Sequence, residues 1–166
     1  MMLRSAFTVL CLAVVFLWKA AAFAQPIPNF DLPLLDKAGT LSLADVKGKV
    51  VYLDFWASWC GPCAVSLPEL EKLRRRFHPQ GFEVVAINLD NSQEDARRFL
   101  RDKQISYPIL YDRQQRTPEQ FGVAGMPTAF LLDRQGRLRE THTGFKPGDT
   151  EKLTKMIQQL LQEEEG

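Results

Sequence analysis

Residues Val50-Val51-Tyr52-Leu53-Asp54-Phe55-Trp56 form a nearly unbroken apolar run, and three positions beyond it the chain reads Trp59-Cys60-Gly61-Pro62-Cys63. A run of this content is expected of a central strand covered on both faces, because both of its side-chain rows must then be apolar. After Cys63, residues Leu67, Leu70, Leu73 and Phe77 recur at helical spacing, which predicts a helix with one buried stripe. The turn between the two elements therefore sits at the carboxyl end of a buried strand and at the start of a helix. Pro62 suits the first helical turn, where a missing N–H costs nothing, and Pro68 inside the helix is expected to kink it.

This placement bears on the two cysteines. Cys60 faces the unpaired N–H groups and the positive pole of the helix start, which favour thiolate over thiol. A thiolate can attack a disulfide, and a second thiol one turn away can resolve the mixed disulfide that results. The pair thus reads as a thiol–disulfide exchange site. Structural zinc is the first alternative, but it needs two more ligands. The chain has only His78 and His142, without close spacing, and no second cysteine pair. A purely structural disulfide is the second, and a loop this small would stabilise little. A peroxidase is disfavoured because neither Cys60 nor Cys63 stands in a Thr-x-x-Cys arrangement. A chaperone or copper carrier using the same residues stays open, although no methionine-rich segment supports a copper relay.

Residues 1–24 look like an export signal rather than part of the fold. Arg4 precedes an apolar stretch from Ala6 to Trp18, and Ala22-Phe23-Ala24 is an A-x-A cleavage site before Gln25. The stretch falls short of the roughly 20 residues of a comfortable membrane span; an uncleaved anchor is the alternative. Cys11 lies within this segment. Its removal takes Arg4 and Lys19 and no acid, so Lys plus Arg falls from 21 to 19 against 20 acids and the net charge goes from +1 to −1. Such a balance gives no reason to expect nucleic acid as a partner. Residues 25–166 are one domain's worth of chain, long enough for a real core. Only Cys60 and Cys63 remain in it. In an oxidising compartment a lone C-x-x-C in such a domain points to catalysis rather than scaffolding.

Elsewhere, residues 25–48 suggest a small hairpin or cap, and Phe82 to Leu89 a second buried strand. Asp95 to Lys103 reads as a helix, Pro108 to Tyr111 as a strand and Pro118 to Phe121 as part of a helix. Thr128 to Leu132 and Leu138 to Thr143 read as strands joined through Asp133-Arg134-Gln135-Gly136, and Leu153 to Leu161 carries the apolar stripe of a last helix. Arg74-Arg75-Arg76 is expected to be a solvated helix end beside the negative dipole pole, and the Glu163-Glu164-Glu165 tail to fray. Strands alternating with helices, followed by a hairpin, predict an α/β fold with a central mixed β-sheet flanked by helices.

Asp54 is a carboxylate in a strand that should be buried. Burial without a cation raises a carboxyl's pKa towards neutrality, and such a group can take the Cys63 proton when that thiol must attack. The alternative is an acid that reaches water or pairs with a lysine. In Gly125-Met126-Pro127-Thr128, Pro127 precedes an apolar strand, where either a cis peptide or an ordinary trans turn fits.

The segment from Phe55 to Cys63, with Asp54, Pro68, Val123-Ala124-Gly125-Met126-Pro127-Thr128 and Gly144, resembles the thioredoxin fold. The cap at 30–49 and an extra helix and strand at about 91–112 are similar to the TlpA/ResA group of exported thiol–disulfide oxidoreductases. The likeness runs from about Asn29 to Leu161. It implies a periplasmic protein that exchanges disulfides with protein thiols, with Cys60 attacking, Cys63 resolving and Asp54 shuttling the proton. It implies a client surface of Trp59, Gly61, Pro62, Met126, Pro127 and Gly144, the Met126 backbone pairing with an extended client. No cofactor or metal is implied; a membrane electron donor of the DsbD type is, and a monomer is expected. The Gly61-Pro62 pair suggests a reductant; an oxidant or isomerase that makes or shuffles disulfides is the alternative. Two departures stand out: Ser66 replaces the glutamate common in the cytochrome-maturation branch, and Ala86 stands where thioredoxins place a lysine beside the buried acid.

Overall fold

The computed structural model describes residues 27–163, so the expected signal segment with Cys11, and Glu164 and Glu165, lie outside the described residues. Strands β1 (Asp31–Pro33) and β2 (Thr40–Ser42) pair antiparallel as the expected N-terminal hairpin. The chain continues through β3 (Val50–Trp56), helix α1 (Cys63–Phe77), β4 (Phe82–Asn88), α2 (Gln93–Leu100), β5 (Ile109–Tyr111), α3 (Arg116–Phe121), β6 (Thr128–Leu132), β7 (Leu138–Thr143) and α4 (Asp149–Gln162). The main sheet has the order β5-β4-β3-β6-β7. β3, β4 and β5 run parallel, while β6 and β7 are antiparallel to their neighbours. The sequence predicts this mixed sheet, and the inserted α2–β5 unit extends it at one edge.

β3 is central and buried throughout, and its alternation sorts the core into two layers. Tyr52 and Trp56 pack with Cys60, Cys63 and the apolar stripes of α1 and α4. Val51, Leu53 and Phe55 pack on the other face, under Phe121 of α3 and Phe30 and Val46 of the N-terminal cap. Asp54 belongs by alternation to the first layer.

Some boundaries differ from expectation for local reasons. α2 starts two residues early because the Ser92 hydroxyl caps it, accepting the Glu94 N–H at 3.2 Å. α1 begins at Cys63, with Pro62 just outside as its N-cap residue rather than in its first turn. The arginine run is not simply solvated. Arg74 Nε donates to the buried Glu83 carboxylate at 2.9 Å, Arg75 Nε donates to Glu71 at 2.6 Å, and the Arg76 guanidinium lies 4.9 Å from the centre of the Phe77 ring. Glu83 is buried near the start of β4, and its charge recruits an arginine of α1. Glu163 pairs with Arg139 rather than fraying. Arg74→Ala is expected to cost about 2 kcal/mol in urea unfolding. That is below the usual cost of breaking a buried pair, because Lys49 still lies 3.7 Å from Glu83. A loss within the ~0.5 kcal/mol of an ordinary surface change would show that Arg74 is dispensable to Glu83.

Candidate active site

The parallel strands β3 and β4 end together, with Trp56 opposite Asn88, and the chain turns out of β3 at their shared carboxyl edge. Ala57 to Pro62 forms the turn, in which the Cys60 N–H donates to Ala57 O and the Cys63 N–H to Cys60 O, both at 3.1 Å. Cys60 and Cys63 are disulfide-bonded. Cys63 is fully buried and Cys60 only 5 % exposed, whereas the neighbouring Trp59 is 71 % exposed. Trp59 is therefore not a core residue. An exposed aromatic next to Cys60 in the chain offers a surface on which another molecule can rest. The Cys63 N–H also reaches Cys60 Sγ, at 3.3 Å. A donor in this position stabilises negative charge on that sulfur once the bond is reduced.

Opposite the turn lies the loop before β6. The Met126–Pro127 peptide is cis, one of the two forms open on sequence. Pro127 O accepts the Gly144 N–H at 2.8 Å, and Thr128 Oγ1 donates to Gly125 O at 2.7 Å. Gly144 takes φ +77°, a left-handed conformation that favours glycine. Gly144 and Pro127 are thus joined by backbone at the start of the β6–β7 pair, while Met126 packs partly buried against both core layers.

Asp54 is 1 % exposed, and its Oδ2 has no hydrogen-bond partner; among the described residues only Trp56 Nε1 shares that condition. The register places Ala86 of β4 beside it on one side and Ala129 of β6 on the other. Ala86 thus holds the neighbouring ladder position, and among the described residues no ion pair to Asp54 forms. Burial alone drives the Asp54 carboxyl well above the usual carboxylate range. By alternation along β3 this carboxyl faces the layer that holds Cys63.

A further cluster was not evident in the sequence. Asp90, buried just beyond β4, accepts the Ser58 N–H at 3.0 Å, the Ser58 hydroxyl at 2.9 Å and the Asn88 side-chain amide at 2.8 Å. It anchors the turn two residues before Cys60. The usable signal was Asn88-Leu89-Asp90 at the carboxyl end of a buried strand, since polar groups at the carboxyl ends of parallel strands line the crevice where such folds bind ligands. No grouping of three or more His, Cys, Asp or Glu able to hold a metal ion occurs among the described residues, and no helix there is long and apolar enough to cross a membrane.

Comparison with known proteins agrees with this geometry. The family model described as Redoxin matches residues 22–157. Over 125 residues the chain is 33 % identical to the thiol-disulfide oxidoreductase ResA of Geobacillus thermodenitrificans, covering 75 % of this chain and 71 % of that one. ResA of Bacillus subtilis is 31 % identical over 137 residues, covering 74 % of this chain and 75 % of the relative. Among solved structures, a Chlorobium tepidum protein provisionally named thiol:disulfide interchange protein DsbE superposes with a TM-score of 0.79. It is 44 % identical, and the match covers 82 % of this chain and 96 % of that one.

Proposed function

This chain belongs to the Redoxin family as a thiol–disulfide oxidoreductase of the TlpA/ResA type, and we propose that it works in the periplasm as a reductant of disulfides in client proteins. Cys60 attacks a client disulfide, Cys63 resolves the mixed disulfide, and Asp54 takes the Cys63 proton as the new bond forms. Two electrons pass from the dithiol to the client. One client sulfur leaves when Cys60 attacks and the other when Cys63 attacks Cys60, and each takes up a proton. Trp59, Gly61, Pro62, Met126, Pro127 and Gly144 form the client surface, and the free backbone of Met126 pairs with an extended segment. A membrane donor of the DsbD type returns the electrons to a monomeric protein whose first 24 residues are a cleaved signal.

The observation that carries the direction is the modest support around Cys60 Sγ: the Cys63 N–H is the one donor that reaches it among the described residues. Strong oxidants stabilise their reduced form through a heavily favoured thiolate. A single N–H on a nearly buried sulfur is far from that, and the Gly-Pro pair between the cysteines agrees. Equilibration with glutathione or dithiothreitol buffers is expected to place the Cys60–Cys63 couple near −270 mV. A potential near −120 mV would make the protein an oxidant and reverse the proposed direction.

A further inference from the structure

Tyr52 lies two residues before Asp54 on the same face of β3, and it leads away from the dithiol. Its hydroxyl is 2.7 Å from His142 Nδ1, and His142 Nε2 is 3.1 Å from Asp149 Oδ2. Asp149 opens α4, also accepts the Lys146 N–H at 2.7 Å, and is partly exposed. A polar chain thus runs from buried Tyr52 on β3, through β7, to the protein surface. The register locates it relative to Asp54. Asp54 pairs with Ala129 and Ala129 with His142, so the three form one row across the sheet. With neighbouring strands about 4.8 Å apart, His142 stands roughly 10 Å from Asp54 with only a methyl group between them. Tyr52 starts one row below and has to cross β6 to meet His142, which carries its hydroxyl over the space that Ala129 leaves.

We propose that Tyr52 and His142 supply Asp54 with the polar neighbour that β4 lacks at Ala86, and so set the pH at which Asp54 exchanges its proton. These two are positioning residues. They regulate the site described above and rest on Asp54 being its proton carrier. Because the Asp149 carboxylate accepts from Nε2, Nε2 carries hydrogen, and Nδ1 is left to face the phenol. In the neutral ring Nδ1 accepts the Tyr52 proton. In the imidazolium it donates, which frees the phenol O–H for another acceptor. The cation then also favours ionised Asp54. The other groups facing this row are few. Trp56 shares the β3 face, Ala86 and Ala129 bring no charge, and α1 contributes Cys63. Glu71 of α1 and buried Tyr107 lie beyond, and Lys146 stands outside beside Asp149. Burial first, then the charges of Asp54 and Asp149, push the Tyr52 hydroxyl above its ordinary range, so Tyr52 keeps its proton and serves as a hydrogen-bond partner only. Burial would raise Asp149, but the Lys146 N–H, the bond and charge of His142, and the Lys146 charge outweigh it and keep it ionised.

The test is the titration of the Asp54 carboxyl carbon by NMR in the oxidised full-domain protein, in wild type, Tyr52→Phe and His142→Gln. Both variants are expected to move the Asp54 midpoint upward, His142→Gln by up to about one pH unit where the imidazole is a cation, the effect of a unit charge ~10 Å away at an effective dielectric constant of about 20. The pH profile for reduction of a disulfide substrate such as insulin should move the same way. A purely structural role would lower stability and leave the midpoint in place, so a midpoint unchanged in either variant overturns the proposal. Asp54→Asn separates the two layers of inference. If it leaves the pH profile of reduction unchanged, Asp54 is not the proton carrier and the regulation built on it falls. An unmoved NMR midpoint removes only the coupling.

Discussion

Cys63→Ser is expected to turn the protein into a trap that accumulates mixed disulfides with its clients through Cys60. The substitution removes a fully buried sulfur and leaves the backbone N–H at position 63, which supports charge on Cys60 Sγ at 3.3 Å. Attack by Cys60 therefore survives, whereas the intramolecular second step has no nucleophile. Catalytic turnover should fall at least about a thousandfold, as when one member of a group that acts as a unit is removed. The readout is non-reducing electrophoresis of cell extracts or of a defined disulfide-bonded client. Bands of higher mass that collapse on reduction are expected, and they should be missing from the Cys60→Ser, Cys63→Ser double variant. A protein that only held unfolded chains would bind equally well with or without either sulfur, and retention of binding in the double variant would favour that class instead. Trp59, exposed beside Cys60, gives the trap a surface to press on the client.

The exchange site was legible because its determinants are local. A buried strand, a tight turn with proline and an apolar stripe at helical spacing lie within 28 residues, 50–77, and fold as those patterns require. Asp54 was legible for the opposite reason, a charged side chain where local pattern demands an apolar one. What escaped notice depends on register between distant segments. His142 lies far from the dithiol in sequence, yet β6 and β7 carry it into the row of Asp54. Asp90 comes beside Ser58 only because β3 and β4 are parallel and end level with one another. The arginine run has the charge pattern of an exposed helix end, and nothing within α1 shows that Glu83 of the next strand waits beneath it. Periodicity reveals which face of an element is buried; it does not reveal which side chains of two elements will meet.

Asp54→Asn is expected to change both the speed of the second step and the dependence of stability on pH. An unfolded aspartate titrates near 3.9, about its unperturbed value; burial in the fold holds Asp54 well above that. Above about pH 4 the unfolded chain has lost this proton while the native protein keeps it, so the native state binds one proton more. Stability then falls by about 1.4 kcal/mol per pH unit from this residue until the folded pKa is passed. The contribution is fully present below the unfolded pKa and lost as pH rises, the reverse of a salt-bridged acid. Asparagine cannot ionise, so the variant should gain on the wild type by that slope as the pH is raised from about 5 towards the folded pKa, with both oxidised proteins unfolded in urea. Parallel stability curves would mean that Asp54 is not held protonated. The kinetic effect has the opposite sign for function. With no group to accept the Cys63 proton, resolution should slow by about 100-fold, the lower range for a lost general base, while attack by Cys60 keeps its rate. Rapid-quench kinetics would then show the mixed disulfide persisting in Asp54→Asn, as a transient form of the Cys63→Ser trap. A variant more stable yet slower identifies Asp54 as a carboxyl kept in the core for its proton. One equally slow but no more stable would mean that its side chain shapes the site around Cys63.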